Sequence, residues 1–410
     1  MAQINITLNQ EEILEVLSRN RDEAFKIIVQ KILNQIMLAE SKEQLQAEPY
    51  ERCEARTDCR NGIRERSLTT RIGKITLEVP RHRNVPFKSM IFDNYSRSEA
   101  SLIACMVEMV VSGISTRKIA NVTEILCGKT FSKSTVSELC KALDDVVQEF
   151  QNRQLTAYYP FLITDATYFK VRENHRVVTK AFMIAMGIKE DGIREIIGFQ
   201  VCENESSQTW ESFYRSLVKR GLRAPKMITS DAHQGEKSGI GTVFPTVPWQ
   251  RCQVHFRKNI LDKMPKKYIE GMRSELNEMF HAETIEEARK IKMRILKDYY
   301  DIAESAMETL DEGFEDAMTV MALPKSLRQG LRSSNYLERQ NGELKARSKI
   351  IKIFPNENSL NRLMGAVLME LHDAMIMRTQ GIYAHKKIEF EEETETKLIQ
   401  IAQQQYLNAA

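Results

Sequence analysis

Residues 160–171, PFLITDATYFKV, are followed by VVTKAFMIAMGI at 177–188 and REIIGFQVC at 194–202. All three runs are rich in β-branched and aromatic residues. Short polar breaks at Glu173–His175 and Asp191–Gly192 separate them, the pattern of consecutive strands joined by tight turns. SSQTWESFYRSLVKRG at 206–221 changes period: serines open it as N-caps, Trp210, Phe213, Tyr214 and Leu217 recur at helical steps, and Gly221 closes it. KMITSD at 226–231 is a short apolar strand ending on an acid. A loop rich in Gly and Pro follows, and then WQRCQVHFRKNI at 249–260, read as a fifth strand.

Three strands, a helix, a fourth strand, a helix and a fifth strand is the element order of a ribonuclease-H-like α/β fold. Periodicity supplies only the order; the sheet topology comes from that comparison. Within it three acids stand out. Asp165 lies inside an apolar strand, where a carboxylate must face a wet cavity or a cation. Asp231 ends the strand MITSD, and Glu338 sits on a predicted helix crowded with arginines and lysines. In such a sheet the first and fourth strands are neighbours, so Asp165 and Asp231 project to one spot, and the helix bearing Glu338 adds a third carboxylate. On that helix Ser334, Glu338, Asn341 and Lys345 fall on one polar strip. Convergent carboxylates suit Mg²⁺, a hard cation that keeps several waters. Two such ions about 4 Å apart activate a water or a DNA 3′-hydroxyl and stabilise the leaving oxygen. Any one of these acids alone reads more simply as a turn or surface residue; the argument rests on the three together.

The composition is that of a core-forming chain, 42% hydrophobic and 28% charged over 410 residues, enough for several domains. No run of about 18 apolar residues and no secretion signal is visible, so no membrane partner is expected and the expected location is the cytoplasm, associated with the nucleoid. Seven cysteines, an odd number, do not read as a disulfide framework. Net charge is only +3, but it is segregated. Residues 51–90 hold ten basic residues against five acids, and 325–352 hold eight against Glu338 and Glu343. Segregated basic segments fit a locally bound polyanion, although either alone reads equally as a solvated face.

Working outward, residues 1–50 are a helical region, with apolar periodicity over 9–46 that predicts two helices joined near Ser18–Asp22. Residues 51–150 form a DNA-binding region. RSLTTRIGKITLEVPRHR, from Arg66, predicts a basic β-hairpin turning at Gly73. GISTRKIA and FSKSTVSEL predict two capped helices in a helix-turn-helix. The second, over Ser134–Leu143, would enter the major groove and present Lys133, Ser134, Ser137 and Lys141. The catalytic domain spans 156–260 and 326–350, an all-helical insertion 261–325, and a C-terminal helical region with an acidic end 351–410. Residues 326–348 are read as one basic helix.

The chain resembles the bacterial insertion-sequence transposases of the Mutator superfamily over roughly residues 55–375. TDATYFKVR, TWESFYRSLVKRGL, SDAHQG, FPTVPWQRCQVHFRKNI and SNYLERQNGELKARSKIIKIFPN carry the likeness. RNGIRERSLTT departs from the glycine-rich turn usual there and puts the DNA contacts of that segment in question. The resemblance implies a DDE-type enzyme with Asp165, Asp231 and Glu338 as ligands of two Mg²⁺ ions, Mn²⁺ serving as a substitute. It also implies double-stranded DNA, both terminal repeats and target, as partner, and a homodimer holding two ends. A catalytically silent DNA-binding regulator is the alternative; the intact triad argues against it. Cys252 and His255 belong to the same pattern. Two soft ligands are half a zinc site, with His233 and His281 as loose completions, whereas a buried Cys252 and a His255 reaching the acids is the simpler reading. His233 either touches a scissile phosphate or caps its loop, and Trp210 is either core or a platform for a displaced base. Arg257, Arg332, Arg339, Lys345 and Arg347 are candidates for phosphate contacts.

Overall fold

The computed structural model describes residues 21–51, 53, 55–70, 73–89, 91, 100–127, 131–377 and 391–407. The chain divides into two compact units, Met1–Lys141 and Ala142–Ala410.

In the first unit helix α1 (Arg21–Leu45) packs on an antiparallel hairpin, β1 (Arg60–Thr70) and β2 (Gly73–His82). Strand β2 alternates: Ile75, Leu77 and Val79 are buried with Met37 of α1, while Lys74, Thr76 and Glu78 face outward. The described N-terminal residues thus form one helix from Arg21, and the earlier of the two expected helices lies outside the described residues. Helices α2 (Ala100–Val111), α3 (Thr116–Cys127) and α4 (Lys133–Leu139) share a separate core of Leu102, Met106, Ile119, Phe131 and Val136. Ser115 caps α3 through the Lys118 N–H, and Ser132 caps α4 through the Thr135 N–H at 3.0 Å.

The helix expected over Ser134–Leu143 is shorter. It ends at Leu139, passes through a 3₁₀ turn at Cys140–Ala142, and a new helix α5 (Leu143–Asn152) begins. The reason is a change of partner. Val136 and Cys140 belong to the first unit's core, whereas Asp144 of α5 makes a two-pronged ion pair, at 2.6 and 2.7 Å, with Arg362 of the second unit.

The second unit is built on one mixed sheet. Strands β3 (Phe161–Glu173), β4 (Arg176–Ile188) and β5 (Arg194–Cys202) are antiparallel neighbours, joined at Asn174–His175 by a turn with both φ angles positive. Helix α6 (Ser207–Lys219) then crosses to β6 (Met227–Ser230), and helix α7 (Gln234–Val243) to β7 (Trp249–Arg251); both strands run parallel to β3. The sheet order is β5-β4-β3-β6-β7. The Gly-rich stretch after Asp231 reads locally as loop, yet the ribonuclease-H-like order calls for a helix between the fourth and fifth strands, and helix α7 stands there. The fifth strand is only three residues long: the Cys252 N–H donates to Ser230 O at 2.8 Å, and helix α8 (Gln253–Asp262) starts at once.

Alternation along β3 assigns its side chains to two layers. Leu162, with Trp210, Phe213, Tyr214 and Leu217 of α6, fills one face. On the other, Phe169 and Phe182 meet edge to face, and Phe182 stacks on Phe199 beneath α5 and helix α14 (Glu357–Ile376). Helices α8, α9 (Ile269–Phe280), α10 (Ile285–Tyr299) and α11 (Glu304–Met318) enclose their own core around Phe256, Met272, Leu276, Leu310 and Phe314.

Residues 326–348 form two helices, α12 (Lys325–Leu331) and α13 (Asn335–Ser348), rather than one. The break at Arg332–Ser334 has local causes: Arg332 O accepts the Gln253 N–H, and the Ser334 hydroxyl lies against two carboxylates. The acidic end also carries a helix, α15 (Glu392–Leu407), whose Gln405 and Tyr406 bond the backbone at Trp249 and Val247. Among the described residues no helix is long and apolar enough to cross a membrane.

Candidate active site

Asp165 is the fifth residue of β3 and points away from the α6–α7 layer that its neighbour Thr164 faces. Its Oδ1 accepts the Ala166 N–H at 2.8 Å, and its Oδ2 accepts the Asn341 side-chain amide of α13 at 2.7 Å. Burial, and secondarily the charge of Asp231, pushes its carboxyl up to about 7. Asp231 directly follows β6, next to β3 in the sheet. Glu338 lies in the first turn of α13. The buried Ser334 hydroxyl sits 3.3 Å from Asp231 Oδ1 and 3.2 Å from Glu338 Oε1, so the helix start is pinned to both acids.

His255 completes the arrangement from α8. Its Nδ1 touches Asp231 Oδ1 and lies 3.5 Å from Glu338 Oε1. Contact with Asp231, then with Cys252, raises the imidazole to about 11. Cys252 is wholly buried, and its sulfur accepts the Ser334 N–H at 3.4 Å. The Asp231, Cys252 and His255 ligand atoms lie within 4.8 Å of one another. Among the described residues this is the tight group of potential metal ligands, and neither His233 nor His281 joins it. Asp165 and Glu338 do not belong to that tight group either; Asp165 is near enough to feel the charge of Asp231, and Ser334 and His255 link Asp231 to Glu338.

The pattern of the family described as "Transposase, Mutator family" matches residues 1–377. The chain belongs to the Mutator family of transposases. It is 46% identical over 380 residues to the transposase for insertion sequence element IS256 in transposon Tn4001 of Staphylococcus aureus, covering 92% of this chain and 97% of that protein. The transposase for element ISRM5 of Rhizobium meliloti is 35% identical over 91% of this chain and 95% of its own, and that for IS1081 of Mycobacterium tuberculosis 36% over 80% and 79%. A solved chain from a simian T-cell lymphotropic virus intasome complex with a PP2A regulatory subunit matches at 12% identity. It covers 47% of this chain and 66% of its own with a TM-score of 0.19, too slight a likeness to bear on the fold.

The other residues singled out in this Mutator-family sequence are distributed as follows. Trp210 is fully buried, stacked on Tyr214 at 5.8 Å between ring centres. Its ring is core and has no face left for a displaced base. His233 is the residue before α7, its backbone oxygen accepting N–H groups of that helix. Lys133, Ser134, Ser137 and Lys141 are exposed in the first unit; Lys141 pairs with Glu138 at 2.8 Å, and Ser134 bonds Ser132. Arg339 and Lys345 are exposed on α13, and Arg347 pairs with Glu370 at 3.1 Å. Arg257 lies over the Phe280 ring, and Arg332 donates to His281. Ser334 and Asn341 were legible as members of the polar strip but not as partners of the acids. Glu236 was missed altogether; its one signal is its place between Gly235 and Gly239, where a helix must pack closely.

Proposed function

We propose that this chain binds the terminal inverted repeats of its element, cleaves the DNA there and joins the freed 3′-hydroxyl to another strand. The observation that carries this is that Asp231, at the end of β6, and Glu338 of α13 share Ser334 and His255, while Asp165 of β3 is held by Asn341 of the same helix α13 and feels the charge of Asp231. The sheet order and the helix carrying the third acid support a ribonuclease-H-like catalytic domain of 156–260 and 326–350, with 261–325 as its helical insertion. Two Mg²⁺ ions, or Mn²⁺ in their place, held by the three carboxylates would supply an activated oxygen nucleophile and Lewis acidity at the phosphate. Asn341 holds Asp165 in one orientation, and Ser334 keeps Asp231 and Glu338 in register, so little reorganisation is needed when charge develops. Family membership and the basic hairpin support double-stranded DNA as the partner. Helices α3 and α4 are the proposed helix-turn-helix, with the exposed Lys133, Ser134 and Ser137 toward the groove. Arg257, Arg332, Arg339, Lys345 and Arg347 are proposed phosphate contacts, and a homodimer is proposed to hold two ends together in the nucleoid.

The test is a supercoiled plasmid carrying paired terminal repeats, incubated with protein and Mg²⁺. Asp165→Asn, Asp231→Asn and Glu338→Gln should each remove cleavage and joining while binding to the ends stays near wild type. Glu343→Gln, on an exposed part of the same helix, should retain activity. A Glu338→Gln protein that joins strands at the normal rate would sink the assignment, and a wild-type protein that binds ends without nicking them would favour a regulator.

A further inference from the structure

Two of the segments that carry the active-site residues each send out one more cation. Arg257 follows His255 by two positions on α8, and Arg332 precedes Ser334 by two in the break between α12 and α13. The Gln253 N–H to Arg332 O bond, at 3.0 Å, fastens the two segments together. Both guanidinium groups reach the same place, the C-terminal end of α9. Arg257 lies 5.4 Å from the centre of the Phe280 ring, and Arg332 Nη1 is 3.2 Å from Nε2 of the next residue, His281. His281 Nδ1 is 2.7 Å from Asn277 O. A carbonyl only accepts, so Nδ1 carries the proton and Nε2 is left to accept from Arg332. The ring therefore orients Arg332 without neutralising it.

Among the described residues no acid completes this group. Elsewhere in the helical segment arginines are matched: Arg289 with Glu315 at 2.9 Å, Arg294 with Glu278 at 2.7 Å. Neither Arg257 nor Arg332 makes an ion pair among the described residues, and the Arg257 Nε is buried without a hydrogen-bond partner. Arg332 and Arg273 are near enough to disfavour the Arg257 charge, adding to its burial. Arg273 is held by Glu270 alone, one helical turn away on the exposed side of α9. The negative end of the α9 dipole offsets only a fraction of a charge. Like charges gathered without a matching acid, beside the proposed phosphoryl-transfer site, call for an anion.

We infer that Arg257 and Arg332, flanked by Arg273 and set by His281, form a clamp for one backbone phosphate of the DNA strand entering the active site. The inference rests on the proposed DNA-cleaving role and deepens it by choosing these two among the basic residues near the acids. Arg347 is already paired with Glu370, and Arg339 and Lys345 stand exposed on α13. A guanidinium pair suits a phosphodiester because its planar N–H groups match two phosphate oxygens.

The experiment measures binding of a terminal-repeat duplex to full-length protein without divalent metal, as a function of salt. The Arg257→Gln/Arg332→Gln protein should bind at least tenfold more weakly at moderate salt. Its plot of log affinity against log salt should be shallower by about one, the release expected for a single phosphate contact. Arg289→Gln/Arg294→Gln removes the same charge from the adjoining helical segment and should leave the slope unchanged. Thermal melting checks the fold, and Arg332→Gln alone carries the test if the double variant does not fold. A slope and affinity equal to wild type in a folded Arg257→Gln/Arg332→Gln protein, or an equal loss in the Arg289/Arg294 control, would overturn the clamp. Failure of the catalytic reading shows separately, as unchanged cleavage by Asp165→Asn.

Discussion

Glu236 lies on the far side of β3 from Asp165, its Oε1 2.5 Å from the Thr164 hydroxyl and 3.0 Å from that of Tyr214. It is almost wholly buried, and burial pushes its carboxyl well above the ordinary glutamate range. The folded protein therefore holds that proton to a higher pH than the unfolded chain does. Because the folded value is the raised one, the contribution to stability is complete at pH below the unfolded value and is lost as pH rises toward the folded one. Glu236→Gln, neutral at every pH, should melt at a higher temperature than wild type at pH 8. The gap should shrink toward pH 5. Equal gaps at the two pH values would show that Glu236 is ionised in the folded state. The carboxyl of Asp165, across the strand, shows how sequence reading works at this scale. An acid in an apolar strand is conspicuous by its surroundings, whereas Glu236, in a stretch of glycines and polar residues, has nothing around it to mark its burial.

At the scale of elements, the stretch after Asp231 reads locally as a loop rich in Gly and Pro, although the expected element order places a helix there, and four of the residues 234–243 are glycine or serine. Local propensity argues against a helix there. Packing overrides it. A Cβ on Gly235 would come within 2.9 Å of the Glu205 backbone oxygen, and one on Gly239 within 2.9 Å of Trp210 Cβ, so the glycines let α7 lie directly on α6. Gly239→Ala should lower stability by about 1–3 kcal/mol, the usual cost of overpacking a filled contact, read from the denaturant midpoint. Gly342 on α13 is the counter-case: nothing lies within 4 Å of its added Cβ. Gly342→Ala should raise stability by about 0.5–1 kcal/mol through helix propensity alone. If both substitutions shift the midpoint in the same direction, space around the glycine is not what decides. The broken α12–α13 segment belongs to the same class of surprise. Its composition favours one helix, and only the contacts of Ser334 and Arg332 explain the interruption.

At the scale of the whole molecule, the boundary between the two units falls at Lys141–Ala142, just before α5. Asp144 is tied to Arg362 and Phe150 lies against Phe199 and His372, so α5 is part of the second unit's packing. Residues 142–410 should fold as a separate protein with a cooperative melt. Under the proposed function this fragment should keep nonspecific duplex affinity and lose preference for element ends. A fragment that still selects its ends in a competition assay would move recognition out of the first unit. A fragment that does not melt cooperatively would show that the second unit depends on the first.

The sequence by itself determined the order of strands and helices through 160–231, because residues of one strand or helix sit close together in the chain and their periodicity records which face is buried. It also singled out Asp165, Asp231 and Glu338, since charge in an apolar strand, at a strand end or in a basic helix contrasts with its immediate neighbours. Tertiary structure alone decided what surrounds those acids. His255 lies against Asp231, Asn341 holds Asp165, and Trp210 is sealed in the core, in each case through partners distant in sequence. It decided the burial of Glu236 and, among the described residues, the lack of an acid beside Arg257 and Arg332 for the same reason. Whether a charge finds a partner depends on the distance through space, and the spacing of residues along the chain does not record it.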